Sequence, residues 1–251
     1  MKRFAMVGLA AWIACTASAQ AGVGGRTAPS DSTEACAVSP ELMAVNYPLR
    51  RLAGRLAGGA TPAVVVIGSG SSLGHGASSP GRAYPARLAA ALEDSLGRKL
   101  PVLVRTEAGL TAVLVSEKLD DVLRLRPALV VWETGTTDAA KGVELGLFGE
   151  AVTAAVQKLH GEGIDVVLVD IQFSPQTAAV INFEPYLDYL RRIADATDSQ
   201  MFRRWDIMHE LIDSGRFNPS PDSAAEQFRN ADYLNGCVAR LLANLIAAGT
   251  H

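Results

Sequence analysis

Short apolar runs recur along the chain, and each ends at a turn that is rich in small or polar residues. The runs occupy residues 64–67, 101–104, 128–132 and 165–169. The segments between and after them carry apolar residues at helical spacing, at 84–96, 111–125, 147–159 and 185–196. Short, β-branched runs alternating with helices are typical of parallel strands that are covered on both faces. The pattern therefore predicts an α/β protein with a three-layer α/β/α, doubly wound parallel sheet.

The remaining segments extend this domain. Residues 40–56 have helical spacing that is broken at Pro48, which predicts two short helices. Residues 200–203 form a candidate fifth strand, and 232–248 are amphipathic with helical period. Because the chain has neither an internal repeat nor a second set of elements, we predict one domain over 40–251. A Gly/Ser/Thr/Pro-rich stretch precedes it, and we predict a flexible leader over 20–39.

The first residues have the pattern of an export signal. Lys2 and Arg3 precede an apolar run over 4–14, and 17–19 (Ala-Ser-Ala) fit a small-x-small cleavage site. We therefore predict a signal peptide over 1–19 and an exported protein, periplasmic or secreted. An uncleaved membrane anchor and a lipoprotein acylated at Cys15 are the alternatives. No later segment reaches the roughly 20 apolar residues of a membrane span, so we predict none in the mature chain.

Composition argues against several ligand classes. The formal net charge is −3, the isoelectric point is about 5.8 and aromatic residues make up 6% of the chain. A protein without a basic cluster or a stacking platform is a poor candidate for nucleic-acid binding. The four histidines are scattered without ligand spacing. We therefore predict no nucleic acid, no metal and no other cofactor.

The loop after the first apolar run is the candidate ligand site. Between Gly68 and Ser79 there are five serines and four glycines, more than a structural turn needs. In open α/β sheets, ligands bind where the carboxyl ends of the strands meet the following loops. The loop can bring hydroxyl groups and backbone N–H groups close to a ligand there.

Four blocks of the sequence match a known superfamily. Residues 68–80 (GSGSSLGHGASSP) are followed by 84–88 (YPARL), while 132–138 (WETGTTD) and 165–175 (DVVLVDIQFSP) match later blocks. With these blocks the mature chain resembles the SGNH (GDSL-type) hydrolase superfamily, and it is most similar to exported bacterial members. The resemblance implies a flavodoxin-like sheet and acyl transfer by a serine, helped by a histidine and an aspartate from a D-x-x-H near the C-terminus.

When the family's functional positions are carried over to this sequence, all three reacting side chains are found to be substituted. The nucleophile position falls on Gly70, and the C-terminal acid and base positions fall on Glu226 and Arg229. Glycine has no attacking group, and a protonated arginine cannot act as a general base. The oxyanion-hole positions fall on Gly70, Gly109 and Thr137, where threonine replaces the family's asparagine. The resemblance therefore implies a catalytically impaired or inactive hydrolase, a pseudoenzyme.

Catalysis would still be possible if other residues took over the roles of nucleophile and base. Shifting the register by two makes Ser72 the nucleophile, and Ser69 or Ser71 would have to attack from neighbouring positions. Asp206 and His209 spell a D-x-x-H, although upstream of the expected place. A serine Oγ within about 3 Å of a histidine or a carboxylate would favour this interpretation. Arg229 lying against Gly70 would contradict it.

Three residues are candidates for lining the pocket. His75 lies in the opening loop, and Asp138 and Gln172 follow strands at the same predicted edge of the sheet. The alternative for Asp138 and Gln172 is hydrogen bonding to loop backbone.

Two cysteines remain after the predicted cleavage, Cys36 and Cys237, and they could pair or stay as buried thiols. Relatives carry cysteines at the same places, so the resemblance implies a disulfide.

The sequence therefore predicts an exported SGNH-like protein that binds acylated glycan or envelope ligands without hydrolysing them. The alternatives are an active esterase or acyl hydrolase that uses a displaced serine, and a purely structural module.

Overall fold

A five-stranded parallel sheet forms the centre of the protein. The computed structural model describes residues 35–251, so the predicted signal peptide and most of the predicted leader lie outside the described residues. The strands are β1 (Val64–Gly68), β2 (Val102–Thr106), β3 (Leu129–Glu133), β4 (Asp165–Val169) and β5 (Gln200–Phe202). Their order is β2-β1-β3-β4-β5. Chain order reverses between β1 and β3, which places a topological switch point there. The predicted doubly wound sheet is confirmed.

Helices cover both faces of this sheet. They are α1 (Arg50–Ala57), α2 (Tyr84–Leu96), α3 (Ala112–Glu117), α4 (Leu119–Leu123), α5 (Thr136–Lys141), α6 (Leu145–Gly161), α7 (Pro175–Ala178), α8 (Glu184–Ala196), α9 (Arg204–Asp213) and α10 (Ala224–Ala248). Short 3-10 turns lie at Pro40–Met43 and Pro80–Arg82. Side chains alternate along β1: Val64 and Val66 pack with α2 and α10, whereas Val65 and Ile67 pack with α3 and α6. The alternation gives two separate cores.

The helix boundaries differ from the sequence prediction where periodicity is weak. The predicted helix over 111–125 is two helices, α3 and α4, which meet at Lys118. The last helix begins eight residues before the predicted start, because the Ser223 hydroxyl accepts a hydrogen bond from the Glu226 N–H and caps it. Its first two turns are mostly exposed and mix polar residues with alanines, so they give no amphipathic signal. The sequence analysis did not predict helix α9, although Ile207, Met208 and Leu211 are buried on one of its faces.

A disulfide joins the start of the described chain to the last helix. Cys36 and Cys237 are bonded, with their Cα atoms 5.2 Å apart, and both are buried. Close by, the Tyr233 hydroxyl donates a hydrogen bond to the Ala35 carbonyl. The Ser39 N–H also donates to Glu210 Oε1 at 2.8 Å. Residues 35–39, predicted as the end of the leader, are therefore tied to the domain.

Within residues 35–251, none of the helices has the length and apolar character that crossing a membrane requires.

Candidate functional site

The loops after β1, β2 and β3 meet at the switch point. Ser69, directly after β1, accepts a hydrogen bond on its hydroxyl from the Gly109 N–H at 3.1 Å. Lys141, in the last turn of α5, donates from Nζ to the Gly109 carbonyl at 2.7 Å. These contacts join the loop after β1 to the loop after β2 and to α5, which follows β3. A ligand at this edge of the sheet would meet all three loops.

Gly70, at the nucleophile position, is covered by a histidine. A Cβ built on Gly70 would lie 3.1 Å from His75 Nδ1, and ring atoms of His75 are its three nearest neighbours. The His75 N–H also donates to the Gly70 carbonyl at 3.2 Å. The side chain over Gly70 is therefore the exposed imidazole of His75. Arg229, the residue considered for this place, is not among those neighbours.

The oxyanion-hole positions are only partly equipped to bind a negative charge. Gly70 and Gly109 lie in adjoining turns, but the Gly109 N–H is already bonded to Ser69 Oγ. Thr137 lies half-buried in the first turn of α5. The Thr136 hydroxyl, beside it, accepts from the Gln172 N–H at 3.4 Å. An oxyanion hole needs donors aimed at the developing charge, and the Gly109 donor is used within the protein.

The acid and base positions fall within α10. Glu226 Oε2 accepts a hydrogen bond from the Asp222 N–H at 3.4 Å, as expected of a residue that caps a helix start. Arg229 is exposed. Neither side chain forms a hydrogen bond or an ion pair with the opening loop, within the part of the chain that the structure describes. These two positions therefore supply no proton-transfer pair.

Directly beneath the opening loop lies a buried polar network centred on Glu133. Ser71 Oγ donates to Glu133 Oε1 at 2.5 Å, and Ser72 Oγ donates to Oε2 at 2.5 Å. Arg204 Nη1 lies 3.2 Å from Glu133 Oε2 and 3.1 Å from Ser71 Oγ. The Tyr84 hydroxyl is 2.9 Å from Ser72 Oγ and 3.3 Å from Glu133 Oε2. The network ties the loop to β3, α2 and α9.

The four donors of the network are unevenly shared between the two carboxylate oxygens of Glu133. Oε2 receives Ser72, Tyr84 and Arg204, whereas Oε1 receives only Ser71. Burial, followed by the Glu133 charge, raises the pKa of Tyr84, which is therefore a neutral phenol. Ser72 is 3% exposed and out of reach of a ligand, whereas Ser71 is half-buried. Among the predicted rescue serines, Ser71 and Ser72 meet the distance criterion to a carboxylate, and Ser71 is the more accessible.

Gly68 explains how the loop fits so closely over Glu133. A Cβ on Gly68 would lie 2.1 Å from Ser72 Oγ and 3.3 Å from the Glu133 Cβ. Only a residue without a side chain allows Ser72 to turn inward there. The glycine at the end of β1 is required by this close approach.

Other candidate residues have structural roles. Asp138 is buried and accepts from the Ala112 N–H at 2.8 Å and the Gly135 N–H at 3.3 Å. Burial raises the pKa of Asp138. Gln172 is half-buried and bonds through its backbone. Asp138 therefore hydrogen-bonds to loop backbone, as the alternative interpretation had it, and does not line an open pocket.

The D-x-x-H of α9 is not a catalytic pair. Asp206 Oδ2 accepts from Arg203 Nε at 2.7 Å and from Arg191 Nη2 at 3.5 Å. The His209 ring packs against Phe173, with ring centroids 3.9 Å apart. The two side chains have different partners, and neither contacts the opening serines.

Glu133 and Arg204 were missed by the sequence analysis. Glu133 is the last residue of β3 and Arg204 begins α9 two residues after β5, and parallel strands end at the same edge of a sheet. Two residues of opposite charge, each close to the end of a strand, were the sequence feature that could have predicted this pair. For metals, no group of three or more His, Cys, Asp or Glu side chains within residues 35–251 has a suitable arrangement.

Several solved structures have a similar fold. The chain is similar to TesA, with 21% identity and a TM-score of 0.53, over 71% of this chain and 99% of that one. It is also similar to AlinE4, an SGNH-hydrolase family esterase, with 18% identity and a TM-score of 0.52, over 65% and 86%. The psychrotrophic esterase EstA from Pseudoalteromonas sp. gives 15% identity and a TM-score of 0.50, over 66% and 92%.

The chain therefore has the fold of the SGNH hydrolases. It belongs to the non-GDSL lipase-like family, whose model matches residues 35–251. No curated protein is significantly similar to the chain. The resemblance seen in the sequence is confirmed at the level of superfamily and fold.

Proposed function

We propose that this is a non-catalytic SGNH-fold protein that binds an acylated glycan or another envelope ligand at the switch point. The observation that carries the proposal is Gly70 at the nucleophile position, with the His75 ring against it. A glycine can keep a backbone donor, but it cannot form an acyl-enzyme.

The surrounding groups support a loss of chemistry. The Gly109 N–H is bonded to Ser69, Glu226 caps a helix, and Arg229 cannot accept a proton at neutral pH. Loss of one triad member typically costs roughly 10³-fold or more, and the members act as a unit. Three substitutions together argue against residual hydrolysis by the usual route.

The ligand class rests on analogy with relatives. AlinE4 and EstA are named as esterases, so their reacting group is an ester. A protein that keeps their fold but not their side chains would bind a similar acylated molecule without turning it over. Fold alone does not fix function, so this part needs a direct test.

Export is part of the proposal. The N-terminal pattern of a positive start, an apolar run and a small-residue site supports a signal peptide. The disulfide between Cys36 and Cys237 supports an oxidising compartment, because such bonds are rare in a reducing cytosol. Fractionation of the producing cell, with N-terminal sequencing of the mature protein, tests cleavage after Ala19.

Fluorophosphonate labelling of the purified mature protein, followed by peptide mapping, tests the absence of chemistry. We expect no adduct under conditions that label an active SGNH esterase completely. An adduct on any serine of the opening loop would overturn the non-catalytic proposal. Binding is tested in parallel by calorimetry with acetylated and deacetylated xylan oligosaccharides, and a preference for the acetylated form is expected. Equal or absent binding of both would contradict the ligand class.

An active hydrolase that uses Ser71 is the second candidate. It is favoured by the 2.5 Å contact between Ser71 Oγ and Glu133 Oε1, which resembles a nucleophile paired with a base. Against it, Ser71 Oγ also accepts from Arg204 Nη1 at 3.1 Å, and this bond occupies one of the two lone pairs of the oxygen that would attack. A fluorophosphonate adduct on Ser71 that is lost in Ser71→Ala would establish this alternative.

A further inference from the structure

Three buried side-chain atoms near the start of α9 have no hydrogen-bond partner. They are Asp170 Oδ2, Arg204 Nε and Arg204 Nη2, and they are the only such side-chain atoms among the described residues. Asp170 is fully buried and Arg204 is 2% exposed. Because buried polar groups in folded proteins nearly always have partners, each such orphan calls for an explanation, such as an ordered water or an ion.

The three atoms belong to one place in the fold. Asp170 directly follows β4, and its Oδ1 accepts from the Trp205 N–H at 2.8 Å. Trp205 follows Arg204, so Asp170 and Arg204 lie at the same end of α9. The Arg204 charge acts on Asp170 and favours its ionised form, which also indicates proximity. The two side chains nevertheless form no direct ion pair, since Arg204 Nη1 is directed to Glu133 and Ser71 instead.

The chemistry of the orphaned atoms restricts what can lie between them. Arg204 Nε and Nη2 have only hydrogens to donate, whereas Asp170 Oδ2 accepts when the carboxyl is ionised and can donate when it is protonated. A molecule that joins them in both states must accept from the guanidinium and be able either to donate to the carboxyl or to accept from it. A halide or carboxylate has no hydrogen to donate to the ionised form, and a metal cation would be repelled by the arginine. Water meets all these requirements.

We propose that Asp170 and Arg204 enclose a buried water site, in which at least one bound water bridges Asp170 Oδ2 to the free guanidinium nitrogens of Arg204. The bridge completes a continuous polar chain from the end of β4 to the opening loop: Asp170, water, Arg204, and then Ser71 with Glu133. It makes Arg204 a positioning residue for the loop that carries Gly70. The site is independent of whether the crevice above it binds or hydrolyses a ligand.

The other charged groups around Asp170 are compatible with this assignment. Asp206 raises the pKa of Asp170 and Arg191 lowers it, each less than burial does. Asp206 is already paired with Arg203 and Arg191, so it does not compete for Arg204. Glu133 is bonded to Arg204 through Nη1, so it does not occupy Nε or Nη2. The position between Asp170 Oδ2 and these two nitrogens is therefore available to water.

A crystal structure of the native mature protein at a resolution near 1.2 Å tests the proposal without any variant. We expect a fully occupied density peak within hydrogen-bond distance (about 2.7–3.2 Å) of Asp170 Oδ2 and of Arg204 Nε or Nη2. A direct Asp170–Arg204 ion pair, or an empty space between them, would overturn it. A second crystal soaked in bromide separates water from an anion, because an anomalous peak at the site would identify an anion and also overturn the proposal.

Solution NMR provides an independent measurement. A bound water at this site should give a rotating-frame cross-peak to the Trp205 backbone N–H, since that N–H is bonded to the same carboxylate. Arg204→Met removes the donors, so the cross-peak should be lost if this variant folds, as judged by its circular dichroism. Persistence of the peak in a folded Arg204→Met protein would contradict bridging by Arg204.

Discussion

The His75 imidazole lies over Gly70, with Nδ1 3.1 Å from the point that a Cβ at position 70 would occupy. This contact places an imidazole directly beside the position that the family resemblance assigns to the nucleophile. We expect Gly70→Ser to fold after a small shift of the exposed ring, and to place its hydroxyl within reach of His75. Fluorophosphonate should then label position 70, whereas the native protein stays unlabelled.

The double variant Gly70→Ser/His75→Gln is the matched control for that prediction. General-base assistance contributes typically 10²–10⁴-fold, so the labelling rate should fall by at least about 10² in the double variant. Equal labelling rates would show that His75 does not assist the introduced serine.

Glycines two residues apart in the opening loop should respond differently to the same substitution. Gly68→Ala would drive a methyl group into Ser72, which is buried and held by Glu133 and Tyr84. We expect it to lower the free energy of unfolding by about 1–3 kcal/mol, as overpacking usually does. Gly70→Ala meets only the exposed ring of His75, so it should cost less than about 1 kcal/mol. Urea unfolding of both variants checks this, and equal losses would contradict the inward position of Ser72.

The buried pair of Glu133 and Arg204 should show strong coupling. Removing one partner of a buried ion pair typically costs about 3–5 kcal/mol, because the other charge is left uncompensated. We expect losses of that size for Glu133→Leu and for Arg204→Met. The double variant should lose clearly less than the sum of the two, and a double-mutant cycle from urea unfolding measures the difference. Additive losses would show that the two charges do not interact.

Asp170 should make stability depend on pH. Burial raises its pKa from 3.8 to about 7 in the folded state. Between these values the native state holds a proton that the unfolded chain has released, so stability falls as pH rises. The contribution is complete below pH about 4 and is lost as pH rises through about 7. Between pH 5 and 8 the loss is on the order of 3 kcal/mol at most.

Asp170→Asn isolates this contribution, since an amide oxygen can still accept from the Trp205 N–H. The free energy of unfolding of the variant, measured by urea from pH 5 to 8, should fall less steeply than that of the native protein. Parallel profiles would show that Asp170 does not titrate in this range.

The disulfide should contribute strongly to stability. It closes a loop of 201 residues, for which the chain-entropy model gives roughly 5 kcal/mol. We expect the double variant Cys36→Ser/Cys237→Ser to lose several kcal/mol, and reduction of the native protein to lower its melting temperature similarly. A melting temperature unaffected by reductant would contradict this expectation.

The sequence by itself determined the parallel sheet. Runs such as 64–67 and 165–169 are strands because continuous β-branched residues need burial on both faces, and this local signal placed four strands to within about two residues. That position 70 is a glycine could also be read directly, because a missing side chain needs no geometry.

Only the tertiary structure decided which side chains share the site. Glu133, Arg204 and Tyr84 lie far apart in the sequence, and each alone reads as an ordinary strand-end or helix residue. They meet under Ser71 and Ser72 because the carboxyl ends of parallel strands lie at one edge of the sheet. Once buried there, each polar group needs a hydrogen-bond partner, because an unpaired buried polar group is destabilising. The same reasoning applies to His75 over Gly70 and to the unpaired atoms of Asp170 and Arg204. Which of these side chains are in contact depends on distances across the fold, and the local sequence pattern does not determine those distances.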